Sequence, residues 1–126
     1  MVTLQDIMNT NVVTAAPQAS VAETAARMVA AKVGSAVILE SSFLVGILTE
    51  RDVLRAAASG RELSNSAVSE WMTRDPQSAG PEAPAEEAAQ IMLLNGFRHL
   101  PVVHGRRVCG VVSLRDLFAA RIRRLV

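Results

Sequence analysis

One property constrains this chain more than any other: it is the same unit written twice. Slid on itself by 64 positions, the sequence aligns without a gap. Met8 falls on Met72, Pro17 on Pro81, Ala19 on Ala83 and Glu23 on Glu87. Ala25 then meets Ala89, Met28 meets Met92, and Gly46, Arg51 and Asp52 meet Gly110, Arg115 and Asp116. A fold for this chain must therefore accommodate two matched halves. The most informative stretch is Gly46-Ile47-Leu48-Thr49-Glu50-Arg51-Asp52, echoed as Gly110-Val111-Val112-Ser113-Leu114-Arg115-Asp116. Each copy reads as a buried strand running into a helix. It delivers a hydroxyl, an arginine and a carboxylate onto one turn.

Local signals give the unit its elements. Thr3 caps a short helix over Leu4 to Met8, and Val12 to Ala15 is a β-branched strand closed by Pro17. Ser20 and Glu23 form a capping box for a helix whose stripe is Val21, Ala25, Met28 and Val29, stopped at Gly34. Ala36 to Leu39 and Phe43 to Leu48 are strands around a tight Ser41-Ser42 turn, followed by a helix over Glu50 to Ala58. The second copy has a short leading helix at Val68 to Met72. Its longer helix has the stripe Ala85, Ala89, Met92 and Leu93 and ends at Asn95-Gly96. Strands at Leu100 to Val103 and Val108 to Val112 follow, with Pro101 expected at a strand start or edge. The last helix starts at Leu114 and places Arg121, Arg123 and Arg124 where they oppose its dipole.

The expected fold is α+β, two β-α-β-β-α repeats with their sheets packed together and helices outside. Residues 1–58 form the first repeat, 59–67 a polar linker and 68–126 the second. A unit of about 50 residues buries too little surface to stand alone, so the two should share a core.

Composition narrows the function classes. Half of the 126 residues are hydrophobic, which argues against disorder. No apolar run is long enough to span a bilayer, and no secretion signal is visible. The single cysteine, Cys109, excludes an internal disulfide and suits a reducing, cytoplasmic setting. A buried packing role is expected for it. Two histidines and one cysteine match no metal-site spacing. No phosphate-binding Gly-Lys-Ser/Thr loop and no nucleophile–histidine set is present, so no catalytic site is expected. Charge is uneven: residues 1–97 hold six basic and eleven acidic groups, and residues 98–126 hold seven arginines and one acid. Arginine suits bidentate phosphate contacts, but composition alone favours a solvated basic face. Few aromatics are available to stack on bases.

The residues point to a family. Ile7-Met8, Trp71-Met72-Thr73, Phe97-Arg98-His99-Leu100-Pro101-Val102-Val103 and the two Gly-x-x-Thr/Ser-x-Arg-Asp turns resemble a tandem pair of CBS domains, often called a Bateman module. The resemblance covers nearly the whole chain and suggests a free-standing pair. It implies clefts between two repeats related by a pseudo-twofold axis. Such clefts take adenosine-containing ligands: AMP, ADP, ATP or S-adenosylmethionine. It implies a non-enzymatic regulatory or energy-sensing role with no required cofactor, an adenosyl ligand, a disk-like homodimer and a regulated partner protein. The alternative is a ligand-free scaffold.

Carried over by position, Asp52 and Asp116 would grip ribose hydroxyls, and Thr49 and Ser113 would touch ribose or phosphate. Arg51, Arg98 and Arg115 would supply charge. The Asp116 cleft would be walled by Asn9-Thr10 and Gly34-Ser35, and the Asp52 cleft by Thr73 and Arg98-His99, which makes the two unequal. The chemistry is reasonable on its own terms, because a carboxylate accepts two hydrogen bonds from a vicinal diol and a helix start favours phosphate. The same residues also make ordinary helix caps, and the two roles are compatible. The expected dimer face is the pair of helices carrying Val53, Leu54, Ala57, Leu117, Phe118 and Ile122. Trp71 is expected to pack at a repeat or dimer interface.

Overall fold

The structure is a computed structural model that describes residues 1–124, with side chains to Arg123. The side chain of Arg124 and the expected end of the second repeat at Val126 lie outside the described residues. The fold is α+β. The chain divides into a central unit, residues 11–76, and a terminal unit made of residues 1–10 and the chain from Gln77 onward. These units do not follow the sequence repeats. Each takes its leading segment from the other repeat.

In the central unit, β1 (Val13–Ala15) runs parallel to β2 (Ser35–Glu40), which pairs antiparallel with β3 (Phe43–Thr49). The two-residue β4 (Thr73–Arg74) closes the sheet against β3, giving the order β1-β2-β3-β4. Ser41 and Ser42 make the tight turn, both with positive φ (51° and 67°), as a two-residue hairpin loop with the twist of its strands requires. The long helix α2 (Val21–Ala31) is capped by Ser20, whose Oγ accepts from the Glu23 amide at 3.0 Å. Its terminator is not Gly34. Lys32 takes the left-handed conformation (φ 58°) directly after the last helical residue. The buried stripe is Val21, Thr24 and Met28, and Val29 points outward at 78% exposure. Residues 59–67 are built into this unit: Ser66 is buried, and its carbonyl accepts from the Val21 amide at 2.8 Å. The leading segment of the second repeat forms only a 3-10 turn, Val68–Glu70. Val68 packs into a core of Val13, Val21, Met28, Ile38 and Leu48.

In the terminal unit, α1 (Leu4–Ile7) buries Leu4 completely against Ala88, Met92, Leu100, Val102 and Val112. The Leu4 amide donates to the Ala83 carbonyl at 3.0 Å, and the Ala85 amide to that of Val2 at 2.9 Å. Helix α4 (Ala85–Asn95) ends at Gly96, left-handed with φ 77°, as expected. Its buried stripe is Ala88 and Met92; Leu93, expected inside, is 70% exposed. Strands β5 (His99–His104) and β6 (Arg107–Ser113) pair antiparallel and lead into α5 (Leu114–Arg124).

The second repeat departs from the first at its opening strand. Where β1 has three paired residues, only Ala79 bridges Val102. Pro101 explains this. It lies inside β5, fully buried, at the position matched by Val37. Its carbonyl accepts from Ala79, but it has no amide to give the neighbouring rung, so the ladder stops after one residue.

Candidate functional site

The two motif turns are built alike. In the central unit, β3 ends at Thr49, which caps α3 (Glu50–Ala58). The Thr49 amide and hydroxyl both donate to Asp52 Oδ2, at 2.9 and 3.0 Å, and the Asp52 amide donates to Thr49 Oγ1 at 3.3 Å. In the terminal unit, the Ser113 amide donates to Asp116 Oδ2 at 2.9 Å, and the Asp116 amide to Ser113 Oγ at 3.1 Å. A carboxylate is thus fixed at the start of each helix by a reciprocal cap.

The helix starts offer fewer amides than a bare N-terminus. The Glu50 amide donates to the Gly34 carbonyl at 2.9 Å, and the Leu114 amide to that of Arg98 at 3.0 Å. With Asp52 and Asp116 using their amides in the caps, a phosphate would depend mainly on the arginine side chains. Arg51, Arg98 and Arg115 are all exposed.

The structure sorts the expected residues into two equivalent sets. With Thr49, Arg51 and Asp52 lie Gly34, buried Ser35, which pairs with Thr49, and exposed Thr73, which pairs with Ile47. With Ser113, Arg115 and Asp116 lie Arg98, half-buried His99, which pairs with Ser113, and exposed Thr10, which follows the Asn9 bridge to Val111. Arg98-His99 is the 64-residue echo of Gly34-Ser35. Within its own unit the basic pair neighbours the Asp116 turn, and Gly34-Ser35 neighbours the Asp52 turn. Both turns are unequal in content, and the basic character belongs to the Asp116 copy.

One contributor was missed in the sequence. Arg55 Nη1 donates to Asp52 Oδ1 at 3.0 Å, an ion pair three residues apart on one helix face. That spacing was the available signal. Arg55 also lies over the Trp71 ring, 5.6 Å from its centroid, with Arg61 at 6.0 Å and tied to Glu70 at 2.7 Å. Trp71 packs on the core of the central unit, and its Nε1 is buried without a hydrogen-bond partner among the described residues. Ala119 stands where the terminal unit would need an arginine to match Arg55.

Cys109 packs on the terminal core and its thiol lies 3.4 Å from the Val102 carbonyl, a structural role. Among the described residues, no cluster of histidine, cysteine and carboxylate side chains could hold a metal ion. No described helix is long and apolar enough to cross a membrane.

The CBS domain family profile matches residues 4–59 and again 68–123. The chain belongs to the CBS-domain family. It is a tandem CBS pair. It is 39% identical over 119 residues to an uncharacterized 17.7 kDa protein in the bps2 3′ region of Acidianus ambivalens, covering 93% of this chain and 71% of that one. It is 36% identical over 118 residues to the CBS domain-containing protein YhcV of Bacillus subtilis, covering 93% and 84%. The CBS domain pair of protein MJ0100, solved in complex with 5′-methylthioadenosine and S-adenosyl-L-methionine, superposes with a TM-score of 0.90 at 26% identity over 98% of each chain.

Proposed function

We propose that this CBS pair is a non-enzymatic regulatory module that binds an adenosine-containing ligand, AMP, ADP, ATP or S-adenosylmethionine, at its motif turns. The observation that carries the reading is the duplicated carboxylate. Asp52 and Asp116 are each held at a strand-to-helix turn by a hydroxyl cap, positioned to accept hydrogen bonds from a ribose diol. The likeness to a CBS pair solved with two adenosyl ligands supports it. The Asp116 turn, with Arg98, His99 and Arg115 in its set, is the one we assign to a phosphate-bearing ligand. Binding would act on a partner protein through conformation or association, to the extent that the ligand prefers one state.

We also assign the exposed apolar side chains of α3 and α5 to a homodimer contact. Leu54 is 68% exposed, Phe118 70% and Ile122 52%. Light scattering at micromolar concentration should give twice the chain mass; a clean monomer would remove this part of the reading.

The deciding experiment is calorimetry with AMP, ATP and S-adenosylmethionine on protein freed of copurified nucleotide. Wild type should bind, and Asp116→Ala and Asp52→Ala should each lose one class of site. Absence of heat with every adenosyl ligand favours the scaffold reading. That alternative has one observation on its side: both carboxylates are already engaged by their own caps.

A further inference from the structure

We propose that Arg55 is a built-in competitor for the Asp52 carboxylate, so that the two motif copies differ in affinity and adenosyl ligand occupies the Asp116 copy first. This rests on the reading that these carboxylates receive a ribose.

A carboxylate that takes both hydroxyls of a diol needs acceptor capacity left over after its own structural bonds. Asp52 has little. Oδ2 takes two donors from Thr49, at 2.9 and 3.0 Å, and Oδ1 takes Arg55 Nη1 at 3.0 Å. Among the described residues Asp116 is engaged more lightly: Oδ2 takes the Ser113 amide, and Ala119 stands at the position of the arginine that reaches Oδ1 of Asp52. The asymmetry is written in one residue of the repeat, Arg55 against Ala119.

Arg55 is also held in place. Its guanidinium lies over Trp71, the only tryptophan, and that ring is flanked by Arg61, itself anchored to Glu70. The stack keeps Arg55 on the side of the helix from which it meets Asp52 and lowers the freedom it would lose on pairing. Its side chain is still 59% exposed, so the pair is a modest competitor and not a permanent block. A ribose arriving at Asp52 displaces an exchangeable ion pair. A ribose arriving at Asp116 meets no matching arginine at position 119.

The competition is read most cleanly with 5′-methylthioadenosine, which has no phosphate that Arg55 could favour. In an Asp116→Ala background, which leaves the Asp52 turn, adding Arg55→Ala should tighten binding about two- to five-fold, the size of a half-exposed ion pair. The reciprocal change tests the same idea without touching the Arg55 region. Ala119→Arg in an Asp52→Ala background should weaken binding at the Asp116 turn by a similar factor. Unchanged or weaker binding on removing Arg55, or an Ala119→Arg variant that binds as well as its parent, overturns the proposal and leaves the nucleotide reading standing. Absence of heat in wild type and all variants sinks both together.

Discussion

Asn9 and Val111 exchange both of their backbone hydrogen bonds, Asn9 N–H to the Val111 carbonyl at 2.9 Å and Val111 N–H to the Asn9 carbonyl at 3.0 Å. The first residues of the chain thus complete the edge of a strand near its end. The matching rung in the central unit joins Thr73 to Ile47. Each CBS repeat, taken as sequence, is completed by a segment of the other. The motif turn that follows β3 or β6 is supported on one side by residues outside its own repeat.

Removal of residues 1–10 should therefore damage the far end of the chain. Leu4 is fully buried in the terminal core, and Leu4→Ala should cost about 2–5 kcal/mol. Hydrogen exchange on a chain lacking residues 1–10 should show lost protection in β5, β6 and α5 and retained protection in β2 and β3. Loss confined to residues 11–76 would contradict this assignment of the leading segment.

The glycines that open the motif are needed for packing. A Cβ on Gly110 would lie 2.7 Å from Met8 Sδ and 3.0 Å from the Asn9 carbonyl oxygen; one on Gly46 would overlap the Met72 thioether. Gly110→Ala and Gly46→Ala should each destabilise by about 1–3 kcal/mol in urea denaturation. Gly110→Ala should cost more, because backbone cannot swing aside as a methionine tip can. Equal midpoints for wild type and both variants would show that the leading segments are held loosely.

Much of this was legible from the sequence, for identifiable reasons. The caps at Ser20, Thr49 and Ser113 and the stop at Gly96 are local features, and local chemistry fixes them. What failed depended on tertiary context. Helix α4 is apolar nearly all round, so its phase is set by Ala88 and Met92 meeting the core, and Leu93 falls outside. The stop of α2 fell to Lys32 because the left-handed residue directly follows the last helical one, and Gly34 is used instead for its carbonyl. Duplication alone does not say which copy a leading segment completes. Nor did motif spacing reveal Arg55, which lies just past the residues that define the motif.

The N-terminal turn should carry a small acid-sensitive contribution. The Thr3 amide donates to Asp6 Oδ2 at 2.9 Å and the Thr3 hydroxyl does so at 3.1 Å; these bonds hold the Asp6 carboxyl below its ordinary range. A depressed carboxyl stabilises the fold above its unfolded pKa, near 4, and the contribution fades as pH falls through the lower folded value. Asp6→Asn should flatten the acid limb of a melting-temperature profile slightly while leaving the limb above pH 7 parallel to wild type. An unchanged acid limb would mean the Thr3 bonds do not persist in solution.

The two motif carboxylates have a structural role in their caps and a proposed binding role, and one pair of substitutions separates them. Without ligand, Asp52→Asn loses the ion pair to Arg55 and places an amide donor near that guanidinium, while its remaining oxygen still serves the Thr49 cap. Its cost should be about 1–2 kcal/mol. Asp116→Asn keeps its cap and has no arginine at position 119 to lose, so its cost should be smaller, within about 1 kcal/mol. With ATP or S-adenosylmethionine present, the gap between the two variants should narrow. Wild type gains stability in proportion to the logarithm of ligand over its dissociation constant. Asp116→Asn should forfeit more of that gain than Asp52→Asn, if the Asp116 turn is the tighter of the two as proposed. Thermal melts of the three proteins with and without ligand give both comparisons in one experiment. If the ligand-induced shift falls equally in both variants, the copies bind alike and the capping difference between them has no consequence for ligand. If Asp116→Asn is the less stable protein before ligand is added, its carboxylate holds structural partners beyond the Ser113 cap.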